Sequence, residues 1–377
     1  MEIILDKGSI MSEWSSSGIR KSVSVAGIVL AAGKGTRMKS QTMKVLHKVA
    51  GRSIISLVLS ALRDSGISDI VAVVSDEQRN DEKFLNEIPN TTICTQLFAR
   101  GTADAVASSA HAFAVSKMPN YAKGELIRGD IIDSDYVLIC AGDTPCLQGN
   151  SLREFITNSL GADLTVLATH QSNPTGYGRL ITQGSELISI VEEKDCNEFQ
   201  KKINLVNTGI YLVRTHLLFQ LLDDVLPNNA QNEYYLTDIV KLARASKNKL
   251  YNVQWKTAGE PGEYSGVNDR EQLAIAERFV LEKIRNVHMQ QGVTMHLPET
   301  IYIDRSVKIG RDCEIGAGNS IIGATEIGSR TKIGHHVVLR DVVLGNDCYV
   351  GDCSFLEGCL VGDGEIIQSG TIRKLKN

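Results

Sequence analysis

The sequence predicts an α/β domain with a mostly parallel sheet, followed by a short parallel β-helix. Three observations carry this prediction. From Val23 onward, continuous apolar runs alternate with amphipathic helical segments, the pattern of a sheet covered on both faces. After about residue 300, aliphatic residues recur every six positions, a period that belongs to neither a helix nor an alternating strand. The composition, 42% hydrophobic but 5% aromatic over 377 residues, suits cores of Ile, Val and Leu, and the length allows two domains at ~150 residues each. A formal charge of −4, from 40 Lys and Arg against 44 Asp and Glu, excludes a chain whose main business is holding a nucleic-acid backbone.

In chain order, residues 1–22, Ser-rich around Trp14, read as a disordered N-terminal tail, with Met11 as an alternative start. The run VAGIVL is the first strand. It is followed by the helix SIISLVLSALRDSG, the strands DIVAVVS and TTIC, the helix TADAVASSAHAFAVSK, and the strands DYVLICAGD and DLTVLATH. The region 115–134 is long, and GELIRGDIIDSD (124–135), polar and Gly-containing, reads as a loop. NTGIYLV, the helix HLLFQLLDDVL, the segment EYYLTDIVKLARA and a helix from about Asp269 to Arg285 complete the domain. The expected boundaries are 23–285 for the α/β domain, 286–300 for a linker and 301–377 for the β-helix.

The six-residue period runs through Ile309, Ile315, Ile321, Ile327, Ile333 and Leu339, with Gly following at 310, 316, 328 and 334. It slips by one residue, continues through Leu344, Val350 and Leu356, slips again, and reaches Val361 and Ile367. One inward aliphatic per flat face with small residues at the corners is a hexapeptide β-helix, of about four coils at ~3 hexads per coil. The eight cysteines include no CxxC pair and several sit in apolar runs, so thiols in a reducing compartment are expected and a zinc site is not. No stretch approaches the ~18 apolar residues of a membrane span, and the first apolar segment is too short for a signal peptide. A cytoplasmic location follows, without a membrane or nucleic-acid partner.

Two places invite chemistry. LAAGKGTRM (30–38) is a Gly-rich turn at the end of the first strand, where backbone N–H groups can wrap an anion, with Arg37 and Lys44 close by. It matches neither GxGxxG nor the P-loop pattern, and an ordinary loop fits equally well. Asp143 follows the strand in VLICAGDTPCL, where a carboxylate can hold Mg²⁺ beside a phosphate. An Asp after a strand serves more often as a helix cap or turn former.

Taken together and in order, LAAGKGTRM with Lys44, the GTADA segment, AGDTP, PTGYGR (174–179), IVEEKD (190–195), NTGIYLV, NEYYLTDIV and GVNDREQL resemble the nucleotidyltransferase half of the GlmU family. These are bacterial bifunctional UDP-N-acetylglucosamine pyrophosphorylases and glucosamine-1-phosphate N-acetyltransferases, and the resemblance covers about residues 24–365. It implies a Rossmann-like nucleotidyltransferase (GT-A-like) domain and a left-handed β-helix. It also implies Mg²⁺-dependent uridylyl transfer from UTP to N-acetylglucosamine-1-phosphate. By the same resemblance, Leu30, Ala31, Ala32 and Gly33 bind the nucleotide through their backbone, and Gln96, Gly101 and Thr102 read the uracil edge. Arg37 and Lys44 hold the triphosphate, Asp143 and Asn268 ligate Mg²⁺, and Gly178, Glu192 and Asn207 contact the sugar side. Read without the family, Glu192 is a surface charge in VEEKD and Asn207 a turn residue.

The chain departs from the family at Met43, where Pro precedes the loop Lys, at Ala103 and Asp104, where Gly-His or Ala-His is usual, and at Ala141, where Tyr is common. These departures keep another sugar-1-phosphate such as glucose-1-phosphate open as the substrate. A non-catalytic regulatory or assembly relative is the competing reading, opposed by the presence of Arg37, Lys44, Asp143 and Asn268. The family's acetyl-CoA site needs further coils and an Asn-Tyr-Asp-Gly segment that this sequence lacks, so acetyltransferase activity is expected to be absent. His335 and His336 then read as corner residues, and Cys348, Cys353 and Cys359 as stacked small side chains. Assembly is the expected role of the β-helix, as a homotrimer.

Overall fold

The computed structural model describes residues 12–14, 20–33, 35–115, 119–121, 123–247 and 249–375. It divides into two compact units, one formed by the chain up to residue 46 together with 54–269, the other by 47–53 together with the chain from 270 onward. Of the expected tail, Ser12–Trp14 and Arg20–Ser22 pair as a short antiparallel ribbon; its other residues lie outside the described ones.

The first unit is built on a ten-stranded sheet. Its strands are β1 (Val25–Leu30), β2 (Ile70–Ser75), β3 (Thr92–Gln96), β4 (Gly124–Arg128), β5 (Tyr136–Ala141), β6 (Leu164–His170), β7 (Arg179–Gln183), β8 (Glu186–Val191), β9 (Leu205–Arg214) and β10 (Val253–Thr257). The order is β8-β7-β9-β5-β1-β2-β3-β4, with β6 pairing both β9 and β10. β5, β1, β2 and β3 are parallel neighbours, so their carboxyl ends lie on one edge. Side chains alternate across the sheet: Ala26 and Ile28 of β1 enter one core, Val25 and Val29 the other. Helices α1 (Ile54–Asp64), α2 (Glu82–Glu87) and α4 (Gly149–Ser159) cover the second core; α3 (Thr102–Ser108), α5 (Thr215–Asp223) and α6 (Asp238–Ala245) cover the first.

Two sequence expectations are corrected here. The segment expected as a loop at 124–135 contains β4, an antiparallel edge strand on β3. Its strand character is hidden because Leu126 alone packs against the core while Glu125, Ile127 and Arg128 face solvent. The helix expected over TADAVASSAHAFAVSK ends as an α-helix at Ser108 and closes in a 3₁₀ turn, Ser109–Ala112. Ser108 and Ser109 turn their hydroxyls back onto the carbonyls of Asp104 and Val106, competing with the helical ladder.

In the second unit, α7 (Arg270–Gln290) runs five residues beyond the expected Arg285, through the proposed linker, and the first coil strand, Thr294–Met295, also lies inside that linker. The cause is packing. Arg285 is buried with its Nη1 on the carbonyl of Ile301 at 2.9 Å, and Ile284 packs on the β-helix core, so the helix belongs with the coils. The β-helix is left-handed, with three parallel sheets of five, five and four strands. Inward residues stack in columns, such as Ile303, Ile321, Leu339 and Leu356, and Ile315, Ile333, Val350 and Ile367. Corners carry left-handed backbone at Asp312, Arg330 and Asp347, and at His336 and Cys353. His335 and His336 are exposed corner residues; His335 Nδ1 accepts from the Ala317 N–H at 3.0 Å. Cys348, Cys353 and Cys359 are not stacked on one another, because strand partners in this solenoid lie 17 to 20 residues apart. The Cys348 N–H instead donates to Thr331 Oγ1 at 3.1 Å, and Cys353 is exposed.

None of the eight cysteines forms a disulfide, and burial pushes the Cys94, Cys140 and Cys146 thiols up to about 12, which makes them small core hydrophobes. Among the described residues, no helix is long and apolar enough to cross a membrane.

Candidate active site

The parallel strands end on a common edge, and the first residues beyond them form the site. Leu30, Ala31, Ala32 and Gly33 leave β1 between two neighbours: the Ala31 N–H donates to the Val73 carbonyl at 2.9 Å, and the Gly142 N–H to the Leu30 carbonyl at 2.8 Å. Gln78, which the sequence does not single out, is buried beneath this turn and donates from Nε2 to the Ala31 carbonyl at 2.9 Å, while its Oε1 accepts from the Ser75 N–H at 2.7 Å. Gly35 has φ +59°, and a Cβ there would stand 2.5 Å from Lys44 Cβ, so this glycine is what allows the lysine stem to cross the turn. The turn walls a cleft of about 830 Å³ lined also by Lys44, Gln96, Phe98 and Arg100.

At one side of the cleft four side chains, up to 231 residues apart in sequence, meet. The Lys44 ammonium pairs with Asp143 Oδ2 and lies 3.4 Å from Asn268 Oδ1. Arg37 donates from Nη2 to the same Asn268 oxygen at 2.9 Å. The Val267 N–H donates to the Asp143 carbonyl at 2.8 Å and fixes the GVN segment against the end of β5. Two hard oxygens, one carboxylate and one amide, therefore converge on a single cation, here the lysine. Oxygen donors of this kind suit Mg²⁺, which takes one or two protein ligands and completes its shell with water and phosphate. Among the described residues there is no cluster of three or more His, Cys, Asp or Glu able to hold a metal.

Of the base-reading residues that the resemblance implies, Gln96 lines the same cleft, and Gly101 and Thr102 directly follow Arg100, which lines it too. Gly101 caps α3 at φ +116°, where a Cβ would be 2.4 Å from the Tyr234 carbonyl. The Thr102 hydroxyl accepts from the Leu236 N–H at 3.0 Å, so it ties α3 to the segment before α6. Gln96 donates from Nε2 to Asp104, a buried residue with no role evident from the sequence.

Gly178, Glu192 and Asn207 form a second group. The Asn207 N–H donates to the Gly178 carbonyl at 2.9 Å, and a Cβ on Gly178 would be 3.4 Å from Glu192 Oε2. Asn207 also donates from Nδ2 to Tyr211 Oη at 2.6 Å. Since β9 runs antiparallel to β5 with Tyr211 opposite Ile139, Asn207 stands past Ala141 on the edge that carries Asp143. Arg179, fully buried, pairs with Glu193 at 2.8 Å and leaves Glu192 to a hydrogen bond with Thr237.

Burial holds the Glu192 carboxyl above the ordinary carboxylate range; the Thr237 hydroxyl and Arg179 oppose this, and Asp195 and Asp238 add to it. A carboxyl whose folded pKa is raised contributes stability fully below its unfolded pKa and loses it as pH rises through the folded value. Glu192→Gln is therefore expected to raise the melting temperature at neutral pH, with the gain vanishing by about pH 4. Paired thermal melts of the variant and the parent across that range check the sign.

Comparison with known proteins gives the chain's family. A sequence profile of the MobA-like NTP transferase domain matches residues 27–296, and one of the bacterial transferase hexapeptide, six repeats, matches 306–341. The bifunctional protein GlmU of Geobacter sulfurreducens is 38% identical over 276 residues, 72% of this chain and 53% of that protein. GlmU of Carboxydothermus hydrogenoformans is 39% identical over 276 residues, 72% of this chain and 56% of that protein. GlmU of Desulfotalea psychrophila is 38% identical over 286 residues, covering 74% and 77%. The chain spans about half the length of the first two of these relatives. By domain content and by descent, it belongs to the GlmU family.

Proposed function

We propose that the protein transfers a uridylyl group from UTP to N-acetylglucosamine-1-phosphate, giving UDP-N-acetylglucosamine and pyrophosphate. The observation that supports this best is the meeting of Arg37, Lys44, Asp143 and Asn268 beside a cleft walled by the glycine-rich turn. Attack of a sugar-phosphate oxygen on the α-phosphorus requires in-line positioning and charge neutralisation rather than covalent work by the protein. The nucleophile is a phosphate monoester, already an anion at neutral pH, so no general base is needed.

In this reading Asp143 and Asn268 hold Mg²⁺, which when bound neutralises phosphate charge. Lys44 leaves Asp143 for the phosphates, and Arg37 supports the departing pyrophosphate. Backbone groups of Leu30 to Gly33 cradle the nucleotide, Gln96, Gly101 and Thr102 meet the base, and Gly178, Glu192 and Asn207 take the sugar. The β-helix serves assembly into a homotrimer. Its outward strand positions change from ion pairs, Lys308 with Glu326 and Lys332 with Glu314, to exposed Leu360, Ile366 and Ile372. No acetyl transfer is assigned to these coils, whose adjacent histidines are corner residues. A cytoplasmic site of action fits substrates of this kind.

The sugar is tested with a panel of sugar-1-phosphates and nucleoside triphosphates, read by pyrophosphate release. N-acetylglucosamine-1-phosphate with UTP is expected to exceed every other pair in kcat/KM. Glucose-1-phosphate as the better acceptor would keep the chemistry and replace the substrate.

A further inference from the structure

At the base-proximal wall of the cleft, Gln96, already assigned to the base, is held by a polar assembly whose other members, Asp104 and Arg100, have no role in the proposed transfer. Gln96, at the end of β3, donates from Nε2 to Asp104 Oδ2 at 2.8 Å and to the Gly101 carbonyl at 3.2 Å. Asp104 is 1% exposed, and its other oxygen, Oδ1, accepts from Arg100 Nη2 at 2.6 Å. Arg100 is itself held by the Tyr121 carbonyl at 2.5 Å and lies 5.5 Å from the centre of the Tyr234 ring, which stacks on Tyr121.

This arrangement decides which end of the Gln96 amide faces the cleft. A carboxylate and a peptide carbonyl can only accept, so the group next to both must be the NH₂, and both of its hydrogens are consumed there. The reversed amide would set its oxygen against two acceptors in a buried place, a costly arrangement. What Gln96 can offer the cleft it lines is therefore its Oε1, an acceptor. Uracil presents an imide N3–H between two carbonyls, whereas cytosine has a bare acceptor nitrogen at N3.

On the reading that the cleft takes a nucleoside triphosphate, we propose that Asp104 is a positioning residue for base selection: it holds the Gln96 amide nitrogen inward, so that the cleft accepts a pyrimidine carrying an imide N–H and rejects cytosine.

Calorimetric binding of UTP, CTP and N3-methyl-UTP to the full chain, and to its D104N variant, tests this. In the parent protein CTP and N3-methyl-UTP are expected to bind at least about tenfold more weakly than UTP. In D104N, Arg100 still demands an acceptor, so the new amide turns its oxygen to Arg100 and its NH₂ to Gln96, whose own amide inverts. The UTP-to-CTP affinity ratio should then fall by about tenfold or more, whereas a merely structural role would weaken both ligands together and leave the ratio unchanged. An unchanged ratio in folded D104N, or equal binding of UTP and N3-methyl-UTP by the parent protein, overturns the proposal. Should D104N fail to fold, D104S, whose hydroxyl can donate to Gln96, takes its place with the same expected fall in the ratio and the same overturning result. If no triphosphate binds, the assignment of the cleft falls together with this one; if UTP binds without the discrimination, only this one falls.

Discussion

Replacing Asp143 by asparagine is expected to lower turnover by at least about a thousandfold while the protein keeps its fold. The substitution preserves shape and one oxygen but removes the charge of the only carboxylate in the four-residue cluster, the group that pairs with Lys44 and that, in the proposed reading, would hold Mg²⁺ together with Asn268. Folding is expected to survive because the amide oxygen of the new side chain can still accept from Lys44, and because the backbone bond from the Val267 N–H to the carbonyl of residue 143 does not involve the side chain. The check is pyrophosphate release by the variant at saturating Mg²⁺ and UTP, alongside its thermal melt. Near-normal release would remove Asp143 from the metal assignment. A collapsed melt would show that the Lys44 pair is needed for folding.

The second large effect lies in the solenoid. Leu339 is fully buried in a column between Ile321 below and Leu356 above, so Leu339→Ala is expected to cost about 2–5 kcal/mol of stability. A flat, rigid coil has little freedom to collapse into the space left, which favours the upper part of that range. Val343 is the matched control: it is also on a coil strand but faces outward at 42% exposure, so Val343→Ala should change stability by less than about 0.5 kcal/mol. Urea unfolding of the two variants followed by circular dichroism measures the difference. Equal costs would mean that the inward columns do not hold the coil together.

These two expectations rest on very different kinds of sequence information. The solenoid is legible because each inward column obeys a local rule, one aliphatic per six residues, and the two slips in that rule are real features of the chain. Where the pattern loses a residue, strand partners move from 18 to 17 apart, as in Ile327 with Leu344 and Leu339 with Leu356. Only the first strand of the first coil falls in the expected linker, because Thr294 and Met295 do not show the Ile-Gly signature and α7 hides the start of the coil by continuing past Arg285.

In the α/β unit, buried parallel strands announce themselves as apolar runs, but β4 does not, since an edge strand with Leu126 as its one apolar side chain on the core has no pattern to show. The site is legible only through family resemblance. Lys44 and Asp143 are 99 residues apart and Arg37 and Asn268 are 231 apart, and no local spacing encodes such meetings. Gln78 and Asp104 lack even that signal. One sits on a short 3₁₀ turn, the other inside a small-residue helix, and their roles are visible only once the carbonyl or amide they hold is in view.

The central claim, that the cluster at the carboxyl edge of the sheet performs uridylyl transfer, is tested most directly by following the α-phosphorus of UTP. With UTP labelled at that atom, N-acetylglucosamine-1-phosphate and Mg²⁺, the label is predicted to appear in UDP-N-acetylglucosamine in step with pyrophosphate release, and to remain in UTP when Asp143 is replaced by Asn. Label that remains in UTP with the parent protein, whichever sugar-1-phosphate is supplied, would contradict the account and point to a non-catalytic member of the family.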